Sequence, residues 1–216
     1  MVEKGGRCAR FSFGGVEAIL DGARRLVDLI NATGDLGEHQ HFAELLIGWG
    51  VPVVGPDVTR SGRDWEIDSN DFLPVDENRK RDSGTHPLVV RCGLSQIGGL
   101  TPRLIDRIVA VRRQRSFSDA FDFLERAVPH DGELSPLVRS GALDALCDGL
   151  TRPQLLWLLS TARRSGHRPL FPGQLPRCLG DYAVASKRRD ERQTLGLSLR
   201  ERPESASAAG ADLLQP

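Results

Sequence analysis

The amino-acid sequence predicts a mainly α protein with a small β element, organised as a helical domain around a helix-hairpin-helix. Apolar residues recur at three- and four-residue spacing through several segments, the signature of helices with one buried face. Apolar runs suited to strands are short and few, Val51-Pro52-Val53-Val54 and Leu88-Val89-Val90. A paired-glycine turn, Ile97-Gly98-Gly99-Leu100, stands directly before the best-marked helix start in the chain, Thr101-Pro102.

A chain of 216 residues can bury the core of one large domain or two small ones. Lys plus Arg and Asp plus Glu both number 29. Overall charge therefore exerts no pull toward a polyanion, and any attraction must be local. Among the basic residues only Lys4, Lys80 and Lys187 are lysine. This bias is read mainly as a mark of GC-rich coding DNA, although arginine also suits phosphate geometry. Cys8, Cys92, Cys147 and Cys178 are widely separated without a C-x-x-C pair. Reduced thiols follow as the expectation, with no disulfide framework, metal site or cofactor. The sequence has no long apolar run and no signal-peptide pattern, so the expected setting is the cytoplasm, away from membranes.

The N-terminal piece contains Phe11-Ser12-Phe13-Gly14-Gly15-Val16 and then a helix expected from Val16 to about Ile30. Ile19, Leu20, Ala23, Leu26, Val27 and Ile30 form its apolar stripe, and Gly34 is its expected stop. A second helix is expected from about His41 to Trp49, then a short buried strand within residues 51 to 56. His39 and His41 lack a third ligand at useful spacing, so they are read as a solvated turn rather than a metal site. Residues 62 to 85 are polar; Trp65 and Ile67 open one strand, Leu88 to Arg91 form another, and the two make a ribbon.

The paired glycines admit positive φ and place no Cβ in the path of an approaching surface. Thr101 is the expected N-cap, and Pro102 occupies the first helical position, where its missing N–H costs nothing. Leu104, Ile105, Ile108 and Val109 give the helix its buried face, while Arg103, Arg107, Arg112, Arg113 and Arg115 are opposed only by Asp106. Free N–H groups at a helix N-terminus beside cations favour a phosphate. The candidate phosphate-binding set for DNA is thus Gly98, Gly99, Thr101, Arg103, Arg107, Arg112 and Arg113. Contacts of this kind position a duplex without reading its bases. A Gly-Gly turn before a helix also serves in proteins that never meet DNA.

Downstream, Phe117, Phe121, Phe123 and Leu124 form the apolar side of a short helix, and Leu134 to Leu143 are read as another, with Gly141 at a close contact or turn. The aromatics are read as core rather than as base-stacking platforms. Arg139, Arg163 and Arg164 either extend a basic face or are solvated. Residues 165 to 180 read as a linker, and the Ala/Ser-rich stretch from Glu204 as a disordered tail.

Several of these pieces also carry a family resemblance. Residues 42 to 61, ending Gly55-Pro56-Asp57-Val58-Thr59-Arg60-Ser61, resemble the fingers segment of the bacterial C-family DNA polymerases, the DNA polymerase III alpha subunit and its error-prone branch. Thr59 stands where that family usually has asparagine. Arg91-Cys92-Gly93-Leu94 and Ile97-Gly98-Gly99-Leu100 resemble its hairpin elements, with Gly98 in place of the usual lysine. Phe117 to Phe123, Leu137 to Leu146, Arg152 to Trp157 and Glu191 to Arg200 resemble later elements in the same order, and Arg202 replaces a histidine before Pro203.

The chain is accordingly divided into an N-terminal helical extension at 1–37, a partial fingers segment with a variable loop at 38–85, a helix-hairpin-helix DNA-binding region at 86–164, and a linker and tail at 165–216, and the resemblance covers about Phe42 to Pro203 of it. It covers nothing of the catalytic palm. Two-metal nucleotidyl transfer needs converging carboxylates, and Asp57, Asp68 and Asp71 lie in turn-rich segments that do not supply them. The implied protein is a DNA-binding fragment of such a polymerase, inactive alone, that grips double-stranded or primer–template DNA without sequence preference and meets other polymerase or repair subunits. The alternatives are a non-catalytic protein-interaction module and a decayed gene remnant.

Overall fold

The computed structural model describes residues 15–33, 36–68, 88–166, 179–197 and 199. Two helices, α1 (Gly15–Ala32) and α2 (Leu36–Gly48), come first and pack on each other. Ala23, Leu26, Val27 and Ile30 of α1 and Ala43 and Leu46 of α2 are buried, as helical spacing requires. The expected stop at Gly34 lies outside the described residues.

The helix α2 begins before His41, which corrects the solvated-turn reading of the two histidines. Both lie inside the helix; His41 is exposed, whereas His39 is buried. Its Nδ1 meets Gln96 Oε1, and its Nε2 lies 3.1 Å from the carbonyl oxygens of both Ile30 and Thr33. A buried polar ring persists because it is hydrogen-bonded, and here it links the first two helices to the hairpin.

Three short strands follow, β1 (Val53–Val54), β2 (Glu66–Asp68) and β3 (Val89–Arg91), in the order β1-β3-β2. The expected ribbon is the antiparallel β2–β3 pair; β1 adds a parallel partner on the other side. The central strand β3 is buried throughout, and its one charged residue, Arg91, is paired through Nε with Asp68 Oδ2 at 3.3 Å.

The remaining helices are α3 (Pro102–Gln114), α4 (Ala120–Ala127), α5 (Asp131–Arg139), α6 (Arg152–Ser165) and α7 (Val184–Leu195). The helix α5 ends at Arg139 rather than continuing to Leu143, because Gly141 turns the chain at a φ of 83°. Asp119 caps α4, accepting the amides of Phe121 and Asp122. Phe117 and Phe123 meet edge to face at 5.2 Å inside one continuous core shared by α1 to α6, the sheet and the end of α7. This agrees with their reading as core residues.

The helix α7 was not expected. It lies inside the stretch read as linker and tail, and it is docked on α5. Residues 167–178 and 200–216, which include the rest of that stretch from Glu204, lie outside the described residues. No helix among those described is long and apolar enough to cross a membrane.

Candidate nucleic-acid interface

The hairpin is positioned from below by β3. The chain leaves the strand through Cys92 and Gly93, and a Cβ on Gly93 would lie 2.4 Å from the carbonyl oxygen of Arg63, so only glycine fits against that backbone. Ser61 Oγ donates to the Cys92 carbonyl at 2.8 Å and fastens this approach to the Asp57–Ser61 turn. Leu94, Gln96 and Ile97 are buried, which anchors the turn and leaves Gly98 and Gly99 exposed at its tip. Gly99 has a φ of 92°, a backbone conformation that a side chain disfavours.

The two glycine amides are not equivalent. Gly98 donates its N–H to the Thr194 carbonyl, at the C-terminal end of α7, at 2.6 Å. Beside it, Gln96 Nε2 donates to the Leu195 carbonyl, while Gln96 Oε1 accepts from Trp65 Nε1 at 3.0 Å. Carbonyls that a helix end leaves unpaired are thus satisfied by the hairpin. The Gly99 amide has no acceptor among the described residues, and the residue is exposed.

Thr101 caps α3 as expected, its Oγ1 accepting the Leu104 amide at 3.2 Å. The same hydroxyl donates to Glu133 Oε1 at 2.7 Å, and the Thr101 amide donates to that oxygen at 3.0 Å. Glu133 Oε2 accepts the His130 amide at 2.7 Å, so one buried carboxylate closes the starts of α3 and α5 together. Burial works to raise its pKa, but the hydrogen bonds from Thr101 and His130 prevail and hold it below the ordinary glutamate value.

The arginines divide likewise. Arg103 and Arg113 are exposed and make no ion pair among the described residues. Arg107 Nε donates to the Arg126 carbonyl at 3.1 Å, and Arg112 Nη1 donates to the Val58 carbonyl at 2.9 Å. Desolvation lowers the Arg112 pKa, against the pull of Glu66 and Asp57. Asp106, the lone acidic residue on this helix, is covered by Arg63 Nη2 at 2.7 and 2.9 Å from its two oxygens. The ten-residue step from Arg103 to Arg113 spans about 15 Å of helix axis. Gly98, Gly99, Thr101 and Arg103 therefore share one end of α3, and Arg112 and Arg113 lie at the other, where Arg113 lines a cleft of about 470 Å³ together with Arg63, Trp65 and Asp106.

The carboxylates in question are engaged elsewhere. Asp57 Oδ1 accepts both the amide and the hydroxyl of Thr59 at 2.7 Å, which closes the Asp57–Ser61 turn on itself. Asp68 pairs with Arg60 and Arg91. Asp71 lies outside the described residues. Among the described residues no three His, Cys, Asp or Glu side chains gather to hold a metal ion.

Sequence reasoning missed Glu133 and Gln96. A histidine three residues before Glu133 is a weak form of the capping signature, and no local pattern marks Gln96, whose partners come from three distant segments.

Comparison with known proteins agrees with this geometry. Residues 50–155 match the model of a family described as a helix-hairpin-helix motif. An error-prone DNA polymerase of Xanthomonas campestris pv. campestris (strain B100) is 31% identical over 151 residues, covering 66% of this chain and 12% of that protein. The error-prone DNA polymerase of Xanthomonas axonopodis pv. citri (strain 306) is 31% identical over 131 residues, or 56% and 11%. That of Ralstonia nicotianae (strain ATCC BAA-1114 / GMI1000) is 31% identical over 119 residues, or 53% and 11%. The chain thus spans about an eighth of the length of the first of these relatives. With the hairpin in place between β3 and α3, and these similarities beside it, the chain is a relative of the bacterial C-family DNA polymerases, built around a helix-hairpin-helix.

Proposed function

We propose that this chain holds the phosphate backbone of duplex or primer–template DNA, without reading its sequence, as the helix-hairpin-helix part of an error-prone type of DNA polymerase. The observation that carries this reading is the tip of the hairpin: Gly99, exposed and at positive φ in the turn before α3, and Arg103 in the first turn of that helix, exposed and without an ion pair among the described residues. A backbone N–H and a cation side by side suit a phosphate oxygen and give no base discrimination. Gly99 and Arg103 are the primary contacts and Arg113 an outlying one. Gly98, Thr101, Arg107 and Arg112 act through the fold, since each already has an internal partner.

Polymerisation belongs to the rest of such an enzyme, as do contacts with other polymerase or repair subunits, and the setting of that work is the bacterial cytoplasm. Binding by the hairpin falls in the range of about 10⁻⁴ to 10⁻⁶ M at physiological salt. The test is fluorescence anisotropy of a labelled primer–template duplex over a salt series, with the wild-type chain beside Arg103→Gln and Arg113→Gln. Salt-dependent binding that Arg103→Gln weakens more than Arg113→Gln supports the proposal; duplex affinity untouched by either change overturns it.

A further inference from the structure

The helix α7 has two chemically opposite faces. Asp190, Glu191, Thr194 and Leu195 point inward and are buried; Asp190 pairs with Arg139 of α5 at 2.5 Å, and Glu191 lies 3.7 Å from Arg152 of α6. Arg188, Arg189 and Arg192 occupy the outer face and are exposed. At about 100° per residue their directions cluster away from the buried set. The acidic residues of this helix, Asp190 and Glu191, therefore face the body of the protein, and Arg188 and Arg189 are exposed on its solvent side.

The C-terminal end of α7 adjoins the hairpin. The Thr194 carbonyl is bonded to the Gly98 amide, and Arg192 and Arg188 precede Thr194 by about 3 and 9 Å of helix axis. A strand of phosphates passing over Gly99 meets these cations within one or two phosphate spacings. Zero net charge on the chain makes such a local concentration the source of any attraction.

We infer that the outer face of α7, through Arg188, Arg189 and Arg192, is a second nucleic-acid backbone contact that continues the hairpin. This rests on the proposed duplex binding and adds an element that neither the hairpin motif nor the capped helix supplies. Docking α7 by its acidic side serves two ends at once: it orders Gly98 and turns the arginines outward.

The experiment compares the slope of log affinity against log salt for the wild-type chain, Arg188→Gln/Arg189→Gln, Arg188→Lys/Arg189→Lys and Arg103→Gln, all on one 24-base-pair duplex. Each neutralised phosphate contributes about 0.9 to that slope. The glutamine pair is expected to reduce its magnitude by about 2 and the lysine pair to leave it unchanged. Circular dichroism of both pairs matching wild type verifies that exposed substitutions leave the fold intact. An unchanged slope in the glutamine pair, with Arg103→Gln still weakening binding, overturns the α7 contact and leaves the hairpin proposal standing. No wild-type binding overturns both, and so does capture of anionic phospholipid vesicles in place of the duplex.

Discussion

Glu133 Oε1 accepts two hydrogen bonds from Thr101, one from its amide at 3.0 Å and one from its hydroxyl at 2.7 Å. An internal carboxylate thus holds the position at the start of α3 where the sequence suggested a phosphate would bind, and it moves the open donor one turn of chain back, to Gly99. The positive end of the helix is neutralised from within, and the hairpin tip is what faces outward.

Replacing Glu133 by Gln is expected to destabilise the fold by about 1 to 3 kcal/mol, since two helix starts lose a charged acceptor. The carboxyl is held below its ordinary value in the folded state. Its contribution is therefore complete above the unfolded-state value and is lost as pH falls through the folded one. Urea midpoints of wild type and Glu133→Gln should converge as pH drops from 7 toward 3. Midpoints that stay equally separated would show that the carboxylate charge is irrelevant.

Gly99→Ala tests the backbone of the tip. An alanine at a φ of 92° is strained, and its Cβ would lie 3.3 Å from Pro136 Cγ. The expected cost is about 1 to 3 kcal/mol, read from chemical denaturation. A loss under a few tenths of a kcal/mol would mean that the turn relaxes freely.

Arg126 holds the far end of α3. Its Nη2 donates to the carbonyls of Val111 and Arg115, its Nη1 to Ser116 and Asp122, and the guanidinium lies 5.0 Å from the Phe117 ring centre. Lysine cannot reproduce that fork. Arg126→Lys is expected to lose about 1 to 3 kcal/mol and to loosen residues 112–115, which amide hydrogen exchange would register as faster exchange there and unaltered exchange in α1.

Two thiols should be inert in the folded chain. Burial pushes Cys92 well up, and burial followed by the charge of Asp144 pushes Cys147 up to about 11. Because the thiolate is the reactive form, iodoacetamide at neutral pH should spare both until urea is added. Rapid native-state alkylation of Cys92 would place it outside the core.

The helices with apolar stripes were legible because burial on one face leaves a period in the sequence, as Leu104, Ile105 and Ile108 illustrate. The β2–β3 pair and the Thr101 cap were legible through local chemistry. The docking of α7 was not: its residues fell in the stretch read as linker and tail, and its inward face is held by Asp190 and Glu191 paired with arginines on two other helices. Gly98 shows the same limit. Its glycine pattern correctly marked a close approach of backbone, but the approaching group is the chain's own Thr194 carbonyl. His39 looked like a surface residue because nothing local announces that Gln96 and two helix-end carbonyls will surround it.

The most direct test of the central claim is a titration of the ¹⁵N-labelled chain with a short duplex, followed amide by amide. The account predicts salt-sensitive shifts centred on Gly99 and Leu100 and extending to the Arg103 side of α3, with the Gly98 amide protected by Thr194 throughout. Shifts confined to surfaces away from residues 98–103, or none at saturating duplex, would contradict it.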